Sequence, residues 1–181
     1  MIKIKLYEGI NVKNLKSLGH GYQGKVYKID SQKCIKIFKK NDECMDEVET
    51  LVMAQSDAHF PKLYSFGHKY IIREFIDGIE LDKYLLNNTL TESISMKIIE
   101  LYEAMEQVGF TRLDVTLFHI FITPYEEFKL IDTARLMKKK TVYPNLIITE
   151  LNKLGYKNQF LDYVKNKKPE IYKKWISNIN E

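Results

Sequence analysis

Gly19-His20-Gly21-Tyr22-Gln23-Gly24 places three glycines in six residues, and extended-favouring residues follow. Lys25-Val26-Tyr27-Lys28-Ile29 leads to a turn at Asp30-Ser31-Gln32, then to Cys34-Ile35-Lys36-Ile37-Phe38. The order reads strand, glycine turn, strand, short turn, strand. Glycines lack a Cβ, so backbone amides there can approach an anionic ligand closely. Lys36 on the next strand can reach the same anion as a point charge. A G-x-G-x-x-G loop in a dinucleotide-binding unit opens a helix. This one opens a β-hairpin, which argues against that fold.

A chain of 181 residues is enough for one domain or two small lobes sharing a core. With 45% apolar and 29% charged residues it is globular, not disordered. No apolar run approaches the ~20 residues of a membrane span. The first residues alternate Lys and Ile, which predicts no secretory leader. Cys34 and Cys44 have no Cys/His cluster around them. They suit a reducing cytoplasm, not a zinc site or a disulfide framework. Charge is uneven. Ten lysines face four acids between Lys138 and Glu181, a balance of +6 against −2 for the remainder. Such a segment suits nucleic acid or an acidic partner, or is simply a solvated helix face.

The first part, to about residue 75, is expected to be strand-rich with one helix over 42–55, where Met45, Val48, Leu51 and Val52 recur at helical spacing. Pro61 stops that helix. Residues 62–66 and 69–75 read as a hairpin turned at Gly67-His68. Thr89-Leu90-Thr91-Glu92 offers a capping box with Thr89 as N-cap. Ile94, Ile98, Leu101, Tyr102, Met105 and Val108 follow on one helical stripe that Gly109 ends. Short strands are expected at 119–122 and 128–131, and helices near 147–154, 158–165 and 169–176.

Alternation puts Lys36 on the face of Cys34 and Phe38, with Ile35 and Ile37 opposite. Lys33, Lys39 and Lys40 are its rivals as the anion-binding cation. Glu47, beside the stripe that contains Leu51, is the best-placed partner for Lys36, with Glu43, Asp46 and Glu49 as alternatives. Asp114 follows the long helix and can orient or deprotonate a hydroxyl. Asp132 ends an apolar strand and can hold magnesium through its carboxylate. His119 is either a further metal ligand or a packed turn residue. Arg112 can pair with a phosphate or form a structural salt bridge.

Taken in order, these pieces resemble the protein-kinase-like superfamily, and within it the small bacterial serine/threonine kinase-like, Rio-type and lipopolysaccharide kinases. Gly19 to Val26 resembles the glycine loop, Cys34-Ile35-Lys36 the strand lysine and Glu47 the helix glutamate. Ile71-Ile72-Arg73-Glu74-Phe75-Ile76-Asp77-Gly78 resembles the hinge. Arg112-Leu113-Asp114 stands where that family writes H-R-D, and Ile131-Asp132-Thr133 where it writes D-F-G. The resemblance spans about 18–135. His119 replaces the metal-binding asparagine, Thr133-Ala134 replace Phe-Gly, and no A-P-E segment follows.

The resemblance implies an α+β, two-lobed chain forming a single domain over 1–181. An antiparallel sheet with one helix would occupy 1–76, and a reduced helical lobe 77–181. It implies an ATP-dependent phosphotransferase acting on a hydroxyl, of a serine or threonine in a protein. A catalytically impaired nucleotide-binding or scaffold module is the first alternative, and a kinase of a small molecule such as a sugar or antibiotic the second. ATP would lie against Gly19, Gly21, Gly24, Val26, Lys36, Glu74 and Ile76. Magnesium would be held by Asp132 and His119, and the chemistry carried by Asp114, Lys36 and Glu47.

Overall fold

The computed structural model describes residues 7–179; the Lys–Ile alternation of 1–6 lies outside the described residues. The glycine stretch forms a hairpin of β1 (Lys16–His20) and β2 (Gly24–Lys28), and β3 (Lys33–Phe38) pairs antiparallel with β2. Asp30 closes the β2–β3 turn by accepting from the N–H groups of Gln32 and Lys33. Helix α1 (Asn41–Met53) follows, then the hairpin β4 (Leu63–Gly67) and β5 (Tyr70–Glu74). The sheet order is β1-β2-β3-β5-β4.

Both faces of this sheet are covered. On one, Phe38 and Ile71 pack with Cys44, Val48 and Leu51 of α1. On the other, Ile35 and Ile72 pack under Tyr7, with Ile10, Val12 and Leu15 alongside. Lys36 therefore lies on the α1 side, opposite Val26 on one neighbouring strand and Ile71 on the other. Cys34 and Cys44 are free and buried.

Beyond β5, β6 (Ile79–Glu80) and α2 (Leu81–Asn87) lead into α3 (Glu92–Val108). Thr91, not Thr89, caps α3: its hydroxyl accepts from the Ile94 N–H. That register leaves Glu92 as the first helical residue, so the expected capping box does not form. Gly109 ends α3 at φ 91°, the left-handed stop that glycine adopts without strain. A short 3-10 turn, Leu117–His119, precedes β7 (Ile120–Ile122) and β8 (Phe128–Leu130); β7 pairs with β6 on one side and β8 on the other in a second small sheet. Helices α4 (Asn145–Lys153), α5 (Lys157–Lys167) and α6 (Pro169–Ser177) complete the chain.

The main core joins α2 to α6 with β7 and β8, and Ala54 and Phe60 from the end of α1 and its exit loop enter it. Phe60 meets Phe110 edge-on at 5.5 Å. This contact ties the α1 exit to the helical part. No helix among the described residues is long and apolar enough to cross a membrane.

Candidate active site

The glycine hairpin is shaped by one close approach. A Cβ on Gly24 would lie 1.9 Å from the Ile37 carbonyl oxygen, so this position tolerates only glycine. A Cβ on Gly19 or Gly21 would meet nothing within 4 Å. Those two lie in open space, where a ligand can approach their backbone. The Gly21 N–H donates to the Gly24 carbonyl at 2.9 Å, and the Lys39 N–H to the Gln23 carbonyl at 2.8 Å, fixing the loop against β3.

Below the hairpin, Lys36 is 7% exposed and Glu47 0%. Their side chains form a short charge-assisted hydrogen bond. The same ammonium donates to Gln23 Oε1 at 3.0 Å, lies 3.9 Å from Asp132 Oδ1 and sits over the Phe38 ring. Arg73 Nε approaches the other Glu47 oxygen at 3.8 Å. Burial pushes the Glu47 carboxyl above its ordinary value, and the cations of Lys36 and Arg73 oppose that push.

Asp132 follows β8. Burial alone would raise its carboxyl; the Lys36 ammonium, His119 and the Ala134 N–H hold it below the ordinary range. His119 Nε2 lies 3.7 Å from Asp132 Oδ2, and the ring stacks edge-on with Phe118. Burial holds this imidazole below its usual value, so it is neutral near pH 7. His119 is thus both a packed turn residue and a neighbour of the candidate metal ligand. Thr133 is buried, and its hydroxyl shares a 2.8 Å hydrogen bond with Thr50 of α1.

Asp114 makes contacts of its own. Its Oδ1 accepts from the Leu146 N–H at 2.7 Å, at the N-terminus of α4. Burial pushes its carboxyl up, against the Leu146 N–H and the Arg112 charge. Arg112 braces the loop: its Nε donates to the Asp114 carbonyl at 3.2 Å. Glu150 of α4 holds the same loop from below, accepting from the Leu117 N–H at 2.6 Å. The short segment 133–144 between Asp132 and α4 brings this helix directly under Asp114.

At the hinge, the Glu74 N–H is spent on the Lys62 carbonyl and the Phe75 N–H on the Gln32 carbonyl, whereas Ile76 N–H has no backbone partner among the described residues. The Glu74 carboxylate takes Lys129 at 3.4 Å and accepts from the Lys62 N–H at 3.1 Å. Val26 lies across the ladder from Lys36. Gln23, Thr50 and Arg73 were not singled out from the sequence. Arg73 alone carried a signal there, as a charged residue two positions beyond Ile71 in an apolar strand.

No family model matches the sequence, and no curated protein matches it. Among solved structures, the kinase domain of PknI from Mycobacterium tuberculosis, determined as a double mutant, superposes with a TM-score of 0.52. Identity is 16%, over 71% of this chain and 61% of that one. The fold is kinase-like, reduced and two-lobed. The chain spans about three fifths of the solved domain it matches.

Proposed function

We propose that the chain binds Mg–ATP between its sheet and its helical part and transfers the γ-phosphoryl group to a hydroxyl. The observation that carries this reading is the convergence of Lys36, Glu47 and Asp132 under the glycine hairpin. Phosphoryl transfer asks mainly for positioning and charge neutralisation, and this arrangement offers both. Lys36 holds phosphate oxygens while Glu47 fixes the ammonium. The open backbone at Gly19 and Gly21 covers the phosphates, Val26 and Ile76 flank the base, and the Glu74–Ile76 backbone takes the adenine edge.

Asp132 suits magnesium, which commonly takes one or two carboxylates together with substrate phosphates and water. His119 offers a nitrogen where magnesium prefers oxygen, so we assign it to orienting Asp132. Among the described residues no cluster of three or more His, Cys, Asp or Glu stands as a metal cage, which fits an ion shared with the nucleotide. When bound, the ion neutralises charge on the β- and γ-phosphates. Asp114 Oδ2, the oxygen not engaged by Leu146, accepts the proton of the attacking hydroxyl. The hydroxyl oxygen bonds to the γ-phosphorus, the bond to the β-phosphate oxygen breaks, and ADP leaves with that electron pair.

The acceptor is assigned to serine or threonine of a protein in a cytoplasmic, bacterial setting, with 1–76 and 77–181 as the two lobes. The finer placement beside the Rio-type and lipopolysaccharide kinases rests on the sequence motifs alone. The short segment 133–144 favours a small-molecule hydroxyl as the second alternative. Gln23 on Lys36 and the departures Arg112, His119 and Thr133 favour a nucleotide-binding scaffold as the first alternative. The lysine-rich C-terminal segment is read as a solvated face; nucleic-acid binding would show as steep salt dependence. The test is transfer of labelled phosphate from Mg–ATP to protein and small-molecule acceptors. Turnover by the wild type and none by Asp114→Asn supports a kinase. Absence of turnover in both, with nucleotide-induced stabilisation, supports the scaffold.

A further inference from the structure

Arg73 is a charged side chain in the interior of a five-stranded sheet, 5% exposed. A guanidinium keeps its charge at any pH a protein survives, so its burial demands an anion. Register gives it one. Arg73 opposes Cys34 and Ile71 opposes Lys36, which puts Arg73 on the α1 side of the sheet. There its Nε reaches to 3.8 Å from Glu47 Oε1. Both atoms are buried without a hydrogen-bond partner among the described residues. Two orphaned groups of opposite charge facing each other at that distance compensate one another in a low-dielectric site.

Lys36 is the closer partner of Glu47, but it is shared among more groups. Its ammonium is divided among Glu47 Oε2, Gln23 Oε1 and Asp132 Oδ1. If it turns to a phosphate, as the reading above requires, Glu47 loses part of that partner. The charged groups facing Glu47 are Lys36 from β3, Arg73 from β5 and Asp132 from the loop after β8, with the buried Cys44 thiol on its own helix. Arg73 stands on β5, one strand further from the glycine hairpin than Lys36 on β3.

We propose that Arg73 is a second, permanent anchor for Glu47, a positioning residue that keeps α1 docked on the sheet when Lys36 engages a nucleotide. The Glu47 carboxylate is then bridged by two cations with separate tasks. Lys36 is free to move, and Arg73 holds the helix. The proposal rests on the kinase-like reading only for what draws Lys36 away; the anchor itself belongs to the ligand-free protein.

The test is amide hydrogen exchange at Val48 and Leu51 of α1. Lys36→Met is expected to keep protection within about twofold of the wild type, and Arg73→Met to lose about tenfold or more. Arg73→Lys is expected to recover part of that loss, because charge returns without the planar fork. In a Glu47→Gln background, Arg73→Met should add nothing further. Wild-type protection in Arg73→Met, or release of α1 by Lys36→Met alone, overturns the anchor. Should Arg73→Met not fold, the wild-type Arg73 Nε–H resonance decides. It is expected to shift in Glu47→Gln, and an unmoved resonance overturns the proposal. Titration with Mg–ADP reports separately: no ADP binding with the Arg73–Glu47 coupling intact removes the nucleotide reading and leaves the anchor in place.

Discussion

Thr50 of α1 and Thr133, the residue after Asp132, join hydroxyls at 2.8 Å in a buried contact between the helix that carries Glu47 and the loop that carries Asp132. Thr50 also engages the Asp46 and Glu47 carbonyls one turn back, so it is satisfied on both sides. Lys138 reaches Asp46 at 2.7 Å from the same segment. The two carboxylates that flank Lys36 are thus tied to each other by a short polar bridge. Thr133→Val is expected to destabilise the fold by about 1–2 kcal/mol, because it leaves a buried hydroxyl short of one partner. Pairing it with Thr50→Val should recover part of that cost. Urea denaturation of the two single variants and the double variant measures both; strict additivity would show that the hydroxyls act independently.

The glycine hairpin separates steric need from ligand access. Gly24→Ala pushes a methyl into the Ile37 carbonyl and is expected to cost about 3 kcal/mol or more, splaying β2 from β3. Gly21→Ala meets nothing and is expected to leave the melting temperature within a degree or two while weakening nucleotide affinity. Thermal melts with and without nucleotide distinguish them. Equal stability of the two variants would mean that the close approach at Gly24 relaxes freely.

Asp114 gives a pH signature with a definite sign. Burial raises its carboxyl in the folded state, so the folded chain binds this proton more tightly than the unfolded chain. The resulting stabilisation is fully present below the unfolded value of about 4 and is lost as pH rises through the folded value. Asp114→Asn does not titrate. Its melting temperature relative to the wild type should therefore climb as pH increases above about 4 and then level off. Paired melts from acid to neutral pH test this. A relative stability that falls over the same range would show that the Leu146 N–H, not burial, sets the proton affinity.

On the proposed reading, His119 stands where an oxygen ligand would serve magnesium better. His119→Asn replaces an imidazole nitrogen with an amide oxygen beside Asp132. It is expected to tighten magnesium-dependent nucleotide binding by about tenfold or less and to narrow any advantage of manganese over magnesium. Nucleotide titrations in each metal read both effects. A loss of magnesium dependence would instead place the imidazole among the ligands.

Much of the sheet was legible because its signals are local. The Asp30 turn and the alternation of β3 fix strand, turn and face within a few residues, whereas the β4–β5 turn falls at His68-Lys69, one residue beyond the expected Gly67-His68. That alternation placed Lys36 on the face of Cys34 and Phe38, which the structure turns toward α1, and the buried stripe of α1 carries Glu47 to it. Arg73 and Gln23 were hidden because their partners depend on which strand lies beside β3 and in what register, a non-local choice. β6 is two residues long and α2 has only Leu81 and Leu85 buried, so neither carries a readable period. The approach of α4 to Asp114 depends on a loop length and a tertiary path, and no spacing in the sequence announces it.

The most direct measurement is a calorimetric titration of the wild type, Lys36→Met and Asp132→Asn with Mg–ATP or its non-hydrolysable analogue. The expected result is saturable binding at one site in the wild type, weakened about tenfold or more when the Lys36 charge is removed. In Asp132→Asn, the remaining binding should lose its magnesium dependence. Absence of binding to folded wild type, or equal affinity in all three proteins, would contradict a nucleotide site at Lys36 and Asp132.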